Sequence, residues 1–247
     1  MEIKLVPTLN NMGWMISQHP DPFTEAFINY ALTKDKPVLE VGAAYGVAAP
    51  RLLEQGKKVI VNDLDVRHLE ALYQQTPPHC QPYLSLLAGC CVHEIEVEEH
   101  SLSAILCGRV FHFFDAETIL LCLKRFARWL EPNGKIFIVA DSIFHGMNEK
   151  IFSDFLQRKA AGHPNPGRVA LIDNPRLAVQ PNKDELLQAM PEYFNFIDIE
   201  TMAKLFNEAG FLVEQASYFP ARYYYEVSLW DGREGVGLVG VKASSTV

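Results

Sequence analysis

Apolar and polar positions follow two alternating rhythms along this chain. Short apolar runs recur at Pro37–Val41, Lys58–Asn62, Tyr83–Leu87, Ser103–Cys107 and Lys135–Ala140. Between them, apolar residues fall at helical spacing. The segment Asp21–Leu32 reads as a helix with Asp21 as cap, Pro22 at its first position and Phe23, Phe27, Ile28 and Tyr30 on its apolar side. A second helix runs from Gly46 to Gln55 and stops at Gly56, and a third from Val66 to Gln75 is broken by Pro77-Pro78. Asp115 caps a helix bearing Ile119, Leu120, Leu123, Phe126, Ala127 and Leu130, which ends at the turn Glu131–Gly134. The run Lys135–Ala140 is apolar after its first residue, as suits a central strand covered on both faces. Asp198 caps a further helix to Ala209, and Phe211–Phe219 and Gly235–Ala243 read as the sixth and seventh strands. Strand–helix units closed by a terminal hairpin predict an α/β fold, a doubly wound sheet with one antiparallel strand.

From Ser142 to Phe196 the rhythm breaks. Ile151, Phe152, Phe155 and Leu156 suit a helix, and Lys183–Met190 is a short one. Gly162–Gly167 and Asn174-Pro175-Arg176 are rich in breakers. Such a stretch is too short and interrupted to bury a core alone. Residues 142–196 are therefore expected to form a mostly helical lid inserted in a single domain that spans 1–247.

The most informative stretch is Val38-Leu39-Glu40-Val41-Gly42-Ala43-Ala44-Tyr45-Gly46, followed by Val59-Ile60-Val61-Asn62-Asp63. A tight turn after one strand and a carboxylate at the tip of the next build a nucleotide crevice in a parallel sheet. The acid suits a ribose diol, since a carboxylate accepts hydrogen bonds from both hydroxyls. A dinucleotide fingerprint would need glycine where Ala44 and Val47 stand, which disfavours an NAD-dependent dehydrogenase. No lysine follows the turn as a P-loop would require.

Composition narrows the picture further. A formal net charge of −8 suits broad contact with nucleic-acid phosphates poorly. The 5 cysteines, an odd count with no Cys-x-x-Cys, predict reduced thiols and no metal centre. The N-terminal residues lack signal-peptide organisation and no apolar run approaches a membrane span, so a cytoplasmic location is expected.

The pattern Glu40-x-Gly42-x-x-x-Gly46 resembles motif I of the class I S-adenosylmethionine-dependent methyltransferases, with Ala44 where that family often has a middle glycine. Leu106–Phe113 is similar to the family's fourth-strand segment, which often carries a histidine where His112 stands. Leu130–Ile138 is similar to its turn into strand five, and Asn207–Phe211 to its entry into strand six. Two departures stand out: Ala88-Gly89-Cys90-Cys91 replaces the aspartate often found near the adenine, and Ser103 replaces the acid that commonly opens strand four.

The resemblance implies a Rossmann-like seven-stranded sheet of order 3-2-1-4-5-7-6, with strand seven antiparallel and the insertion after strand five. It implies S-adenosylmethionine as cofactor and a small-molecule methyl acceptor, with no nucleic-acid partner. Gly42, Ala43, Ala44 and Gly46 would admit the cofactor's amino-acid end to the backbone, where a helix N-terminus favours its carboxylate. Glu40 would orient the turn, accept from the cofactor amine, or cap a turn. Asp63 would hold the ribose, unless it serves as a helix cap, for which Asp65 is better placed. Leu64 would pack on the adenine, Cys90 and Cys91 would lie at its edge, and Cys107 and Gly108 would line the methionine side. Small core residues are the other reading of the two adjacent cysteines.

His112 is the candidate general base, because imidazoles titrate near neutrality; burial among Phe111, Phe113 and Phe114 is its alternative. Arg109, Asp141, His145 and His19 are weaker candidates. The acceptor pocket is expected from Trp14–Phe23, the insertion, Tyr193, Phe194, Phe196 and Tyr223–Tyr225, an aromatic set suited to a small apolar or aromatic metabolite. Absence of Asn/Asp-Pro-Pro-Tyr and of Pro-Cys disfavours nucleobase methylation. The function expected is methyl transfer to O, N or C of such a metabolite. The alternative is a non-catalytic cofactor-binding or regulatory protein. The oligomeric state is left open.

Overall fold

The computed structural model describes residues 5–16, 21–146, 149–173, 183–221 and 229–243. His19, Tyr223–Tyr225 and Asn174-Pro175-Arg176 lie outside the described residues, as does part of the Trp14–Phe23 segment. In chain order, the elements begin with β1 (Leu5–Pro7), β2 (Trp14–Ile16), α1 (Pro22–Leu32), β3 (Val38–Val41), α2 (Ala49–Glu54), β4 (Val59–Asp63) and α3 (Val66–Gln75). They continue through β5 (Leu84–Ala88), β6 (Leu102–Gly108), α4 (Ala116–Trp129), β7 (Leu130–Asp141), α5 (Glu149–Ala160), β8 (Arg168–Ala170) and α6 (Lys183–Ala189). The last are β9 (Tyr193–Asn195), α7 (Ile199–Glu208), β10 (Phe211–Phe219) and β11 (Gly235–Lys242).

Seven strands form the main sheet in the order β10-β11-β7-β6-β3-β4-β5. Strands β5, β4, β3, β6 and β7 run parallel, and β11 lies antiparallel to both β7 and β10. Numbering the sheet strands alone along the chain gives 3-2-1-4-5-7-6, the order that the resemblance implies. Two hydrophobic clusters cover the two faces. Phe23, Phe27, Leu52, Leu69 and Leu72 bring α1, α2 and α3 onto one face. Ile119, Leu123, Phe126, Met202 and Phe206 bring α4 and α7 onto the other. This double covering is why β3 is buried along its whole length and β6 along all but its last residue. Gly237, in β11, lies under the Phe23 ring, and a Cβ there would sit 2.1 Å from it.

Three features differ from the sequence reading. The hairpin β1–β2 was not expected, because three-residue strands carry too few positions to display a period. Strand β7 begins at Leu130, where a turn was expected; its entry is irregular, with a register shift against β6 and a left-handed Asn133. Helix α2 starts at Ala49, not Gly46, because the intervening backbone N–H groups are held by a side chain of β3.

The segment after β7 leaves the sheet at Ser142 and returns at Ile197, and these two residues form an isolated parallel bridge. Besides α5 and α6 it contains the two-stranded antiparallel sheet β8–β9. Ile143, Phe155, Val169, Leu171, Leu186, Phe194 and Phe196 form a cluster of their own beneath it. The segment is docked on the domain by polar contacts too. Asn195 Nδ2 donates to Phe114 O at 3.0 Å, and the Ala116 N–H donates to Asn165 Oδ1 at 2.6 Å.

Candidate functional site

The carboxyl ends of the parallel strands gather the expected cofactor residues. After β3 the chain turns through Gly42 at φ +61°, Ala44 at +48° and Gly46 at +82°. Gly42 has no room for a side chain: a Cβ would lie 2.2 Å from the Val110 methyl. Ala44 adopts the left-handed angle although it is not glycine, at a cost of about 1–2 kcal/mol. That angle aims its N–H at Asp63 Oδ2, 2.7 Å away, a charge-assisted bond that offsets the strain. Ala43 is anchored separately, its N–H donating to Asn62 O at 3.0 Å.

Glu40 is buried in β3, and its carboxylate accepts from the N–H groups of Val47 at 2.8 Å, Ala48 at 3.1 Å and Ala49 at 2.8 Å. These are the orphan donors at the start of α2, whose own cap residue Ala48 offers no side-chain acceptor. Burial raises the Glu40 carboxyl above its ordinary value, against the pull of these three bonds. Of the readings open to Glu40, the structure displays the turn-holding one.

Asp63 ends β4, and its carboxylate is engaged on several sides. Besides Ala44 it accepts from the Asp65 N–H at 2.9 Å and meets His68 Nδ1 at 2.9 Å. Asp65 is the cap of α3, as expected, accepting from the Arg67 N–H. Leu64, beside Asp63, is 59% exposed, an apolar surface open at the strand edge. Gly108 at the end of β6 has nothing within 4 Å of where a side chain would project.

The cysteines divide. Cys90 lies in the turn after β5, its N–H donating to Glu94 Oε2 at 2.6 Å. Cys91 and Cys107 are buried in the cluster on the α4 side of the sheet, together with Cys122. Contact with the Cys122 thiol and burial push the Cys91 thiol up, and burial pushes Cys107 up. The Cys91 and Cys107 side chains therefore serve as small core groups, and Cys107 does not present its thiol to the strand ends.

His112 lies in a short 3-10 turn, Phe111–Phe113, and is buried. Its ring stacks on Phe194 of β9 at 4.4 Å and meets Phe113 edge-on at 4.3 Å. Arg109 follows β6 in a left-handed conformation, φ +58°, with its guanidinium 3.8 Å from Asp21, the cap of α1. Asp141 and His145 are buried at and beyond the end of β7. Aromatic side chains wall this side. Phe144 meets Tyr218 at 5.0 Å, Phe152 meets Trp230 at 5.8 Å, and Phe194 meets Phe196 at 4.9 Å.

Sequence reasoning missed three site residues. Asn62 donates from Nδ2 to the carbonyls of Leu87 and Gly89, fixing the tip of β5 beside Asp63. His68 holds Asp63 from within α3. Glu234 is buried and accepts from the N–H groups of Trp230 at 2.7 Å, Gly232 at 3.0 Å and Ala221 at 3.2 Å, shaping the loop before β11. None belongs to a motif. Only the presence of a polar residue in an apolar run, as at Asn62, was a legible signal.

Burial alone would raise the Glu234 carboxyl, but its backbone donors prevail and hold it below the ordinary value. A depressed carboxyl gives stability that is present above the unfolded value of 4.5 and is lost as pH falls through the folded one. Thermal unfolding followed from about pH 6 to about pH 3 is thus expected to show a steeper loss in the wild type than in Glu234→Gln. Parallel curves would remove this role.

Comparison with known proteins agrees with the geometry. Residues 38–134 match the model of a methyltransferase domain. An uncharacterized methyltransferase of Schizosaccharomyces pombe is 31% identical over 124 residues, which cover 49% of this chain and 45% of that protein. The chain thus spans about half the length of that relative. Among solved structures, a SAM-dependent methyltransferase from Methanosarcina mazei superposes with a TM-score of 0.64 at 12% identity, covering 90% of this chain and 98% of the other. The geranyl diphosphate C-methyltransferase of Streptomyces coelicolor, solved with S-adenosyl-L-homocysteine, has a TM-score of 0.59 at 10% identity and covers 89% and 77%. Residues 38–134 thus match a methyltransferase domain, and the strand order around them is that of the fold of the class I S-adenosylmethionine-dependent methyltransferases. The cofactor of that class is S-adenosylmethionine. No helix among the described residues is long and apolar enough to cross a membrane, and no cluster of metal-binding side chains occurs among them.

Proposed function

We propose that this chain moves a methyl group from S-adenosylmethionine to an O, N or C atom of a small apolar or aromatic metabolite. The observation that carries the reading is the left-handed turn Gly42–Gly46 bonded through Ala44 to Asp63, with exposed Leu64 alongside. These residues fit the cofactor. Gly42 keeps the backbone bare for the amino-acid end, Asp63 offers the sugar hydroxyls the one lone pair left on Oδ2, and Leu64 offers a face to the adenine. The Cys90 backbone lies near the adenine edge and Gly108 leaves room on the methionine side. The cofactor supplies an electrophilic methyl carbon on positive sulfur.

The chain's own contribution is then to align an acceptor against that carbon and to exclude water. The insertion 142–196 acts as the lid that does so, with Phe144, Phe152, Phe194 and Trp230 giving the acceptor side its aromatic character. His112 serves as base for acceptors that must lose a proton, and an acceptor reaches it by displacing Phe194. That stacking also supports a second reading, a cofactor-binding protein without turnover.

Calorimetry with S-adenosylmethionine, S-adenosylhomocysteine and NAD tests the cofactor. The two adenosyl ligands are expected to bind, and binding by NAD alone would overturn the reading. Methyl transfer from labelled cofactor into a metabolite extract separates the two readings: product supports the enzyme, and none from a protein that binds cofactor supports the regulator.

A further inference from the structure

We propose that His68 is a positioning residue for the cofactor acid, and that through it the hairpin β1–β2 is latched at the cofactor site. This rests on the cofactor-binding reading above. His68 is 1% exposed, and its two ring nitrogens are engaged with different parts of the chain. Nε2 receives the Leu9 N–H at 2.9 Å. A backbone N–H can only donate, so Nε2 is the unprotonated nitrogen and the ring proton sits on Nδ1. Nδ1–H then donates to Asp63 Oδ1 at 2.9 Å. One tautomer satisfies both contacts, and it ties the acid to a hairpin residue 59 positions away in sequence.

Two more contacts hold the same hairpin to the same site. Arg67 Nη2 donates to Leu9 O at 3.1 Å, and the Tyr45 hydroxyl donates to Pro7 O at 3.1 Å. The Tyr45 ring also meets His68 edge-on at 5.2 Å. All three anchors stand on the elements that frame the crevice, the turn after β3 and the helix after β4.

The consequence is a geometric coupling. Asp63 accepts from the Asp65 N–H and His68 on Oδ1 and from the Ala44 N–H on Oδ2, which fixes the direction of the one lone pair left for the sugar, on Oδ2. Without His68 the carboxylate is held only by its two backbone donors and is freer to rotate. The hairpin selects the tautomer of His68, and His68 sets the acid. Coupling between sites is reciprocal, so an anchored hairpin favours cofactor binding and bound cofactor protects the hairpin.

The test uses the full chain, with S-adenosylhomocysteine affinity from calorimetry and amide hydrogen exchange at Leu9. His68→Leu is expected to weaken binding about tenfold or more and to speed Leu9 exchange. His68→Gln, which keeps an amide donor and an amide acceptor, is expected to recover part of both. The double variant Tyr45→Phe/Arg67→Ala loosens the hairpin from its surface, leaves His68 and Asp63 in place, and decides the matter should His68→Leu fail to fold. It is expected to show faster Leu9 exchange and weaker binding. If the wild type binds no S-adenosylhomocysteine, the cofactor reading falls and this inference with it. If the wild type binds and both His68→Leu and the double variant bind as tightly, or the double variant alone where His68→Leu does not fold, this inference alone falls.

Discussion

Asp63→Ala is expected to lower cofactor affinity by about 1.5–3 kcal/mol, roughly 10- to 100-fold, and to destabilise the fold as well. On the proposed function, the first effect follows from removing a charged acceptor of the sugar hydroxyls. The second follows from its other partners. The Ala44 N–H and His68 Nδ1 lose their acceptor in a buried setting, and the Asp65 N–H in a partly buried one. Each such loss costs about 1–3 kcal/mol, so a total near 3 kcal/mol or more is expected. Urea unfolding and calorimetry with S-adenosylhomocysteine measure the two effects. Asp63→Asn helps to separate them, since its remaining oxygen can still receive the Ala44 N–H. A variant as stable as the wild type, with unchanged affinity, would remove Asp63 from the site.

Glu40→Leu is expected to be as damaging by a different route. Leucine fills the volume but offers no acceptor to the N–H groups of Val47, Ala48 and Ala49. Three buried donors without partners imply a loss of about 3 kcal/mol or more, and the start of α2 is expected to fray. Since the Gly42–Gly46 turn leads directly into that helix, cofactor binding is expected to fall with it. A pH signature distinguishes the carboxylate itself. A raised carboxyl gives stability that is full below the unfolded value of 4.5 and is lost as pH rises through the folded one. Denaturant titrations at increasing pH are expected to show that loss in the wild type and not in Glu40→Gln. Undiminished stability in Glu40→Leu would show that the turn does not depend on this side chain.

The strands of the main sheet were legible because each carries its own evidence, whereas the three-residue strands β1, β2, β8 and β9 were not. Ile136–Ala140 is apolar on both faces, which a doubly covered sheet requires, and Val38–Val41 is apolar but for Glu40. Asp21, Asp65, Asp115 and Asp198 each announced a helix start, and each caps one through its side chain. The site was legible in part. Gly42 and Asp63 were marked by position at strand ends. The hold of Glu40 on three N–H groups was not readable, because it depends on how the turn folds back over β3. His112 was marked by likeness to a motif, yet its setting is decided by Phe194, a residue of the insertion far along the chain.

The chain's order of apolar runs, caps and breakers by itself determined the alternation of strands and helices, and with it the crevice at the strand ends. That information is local, since a few neighbouring residues fix a backbone state and a covered face. Which acid binds which donor, which thiols vanish into the core and which imidazole reaches back to the N-terminal hairpin were decided only in three dimensions. Those contacts join Leu9 to His68 and Phe194 to His112, and no short window of sequence contains both members of either pair.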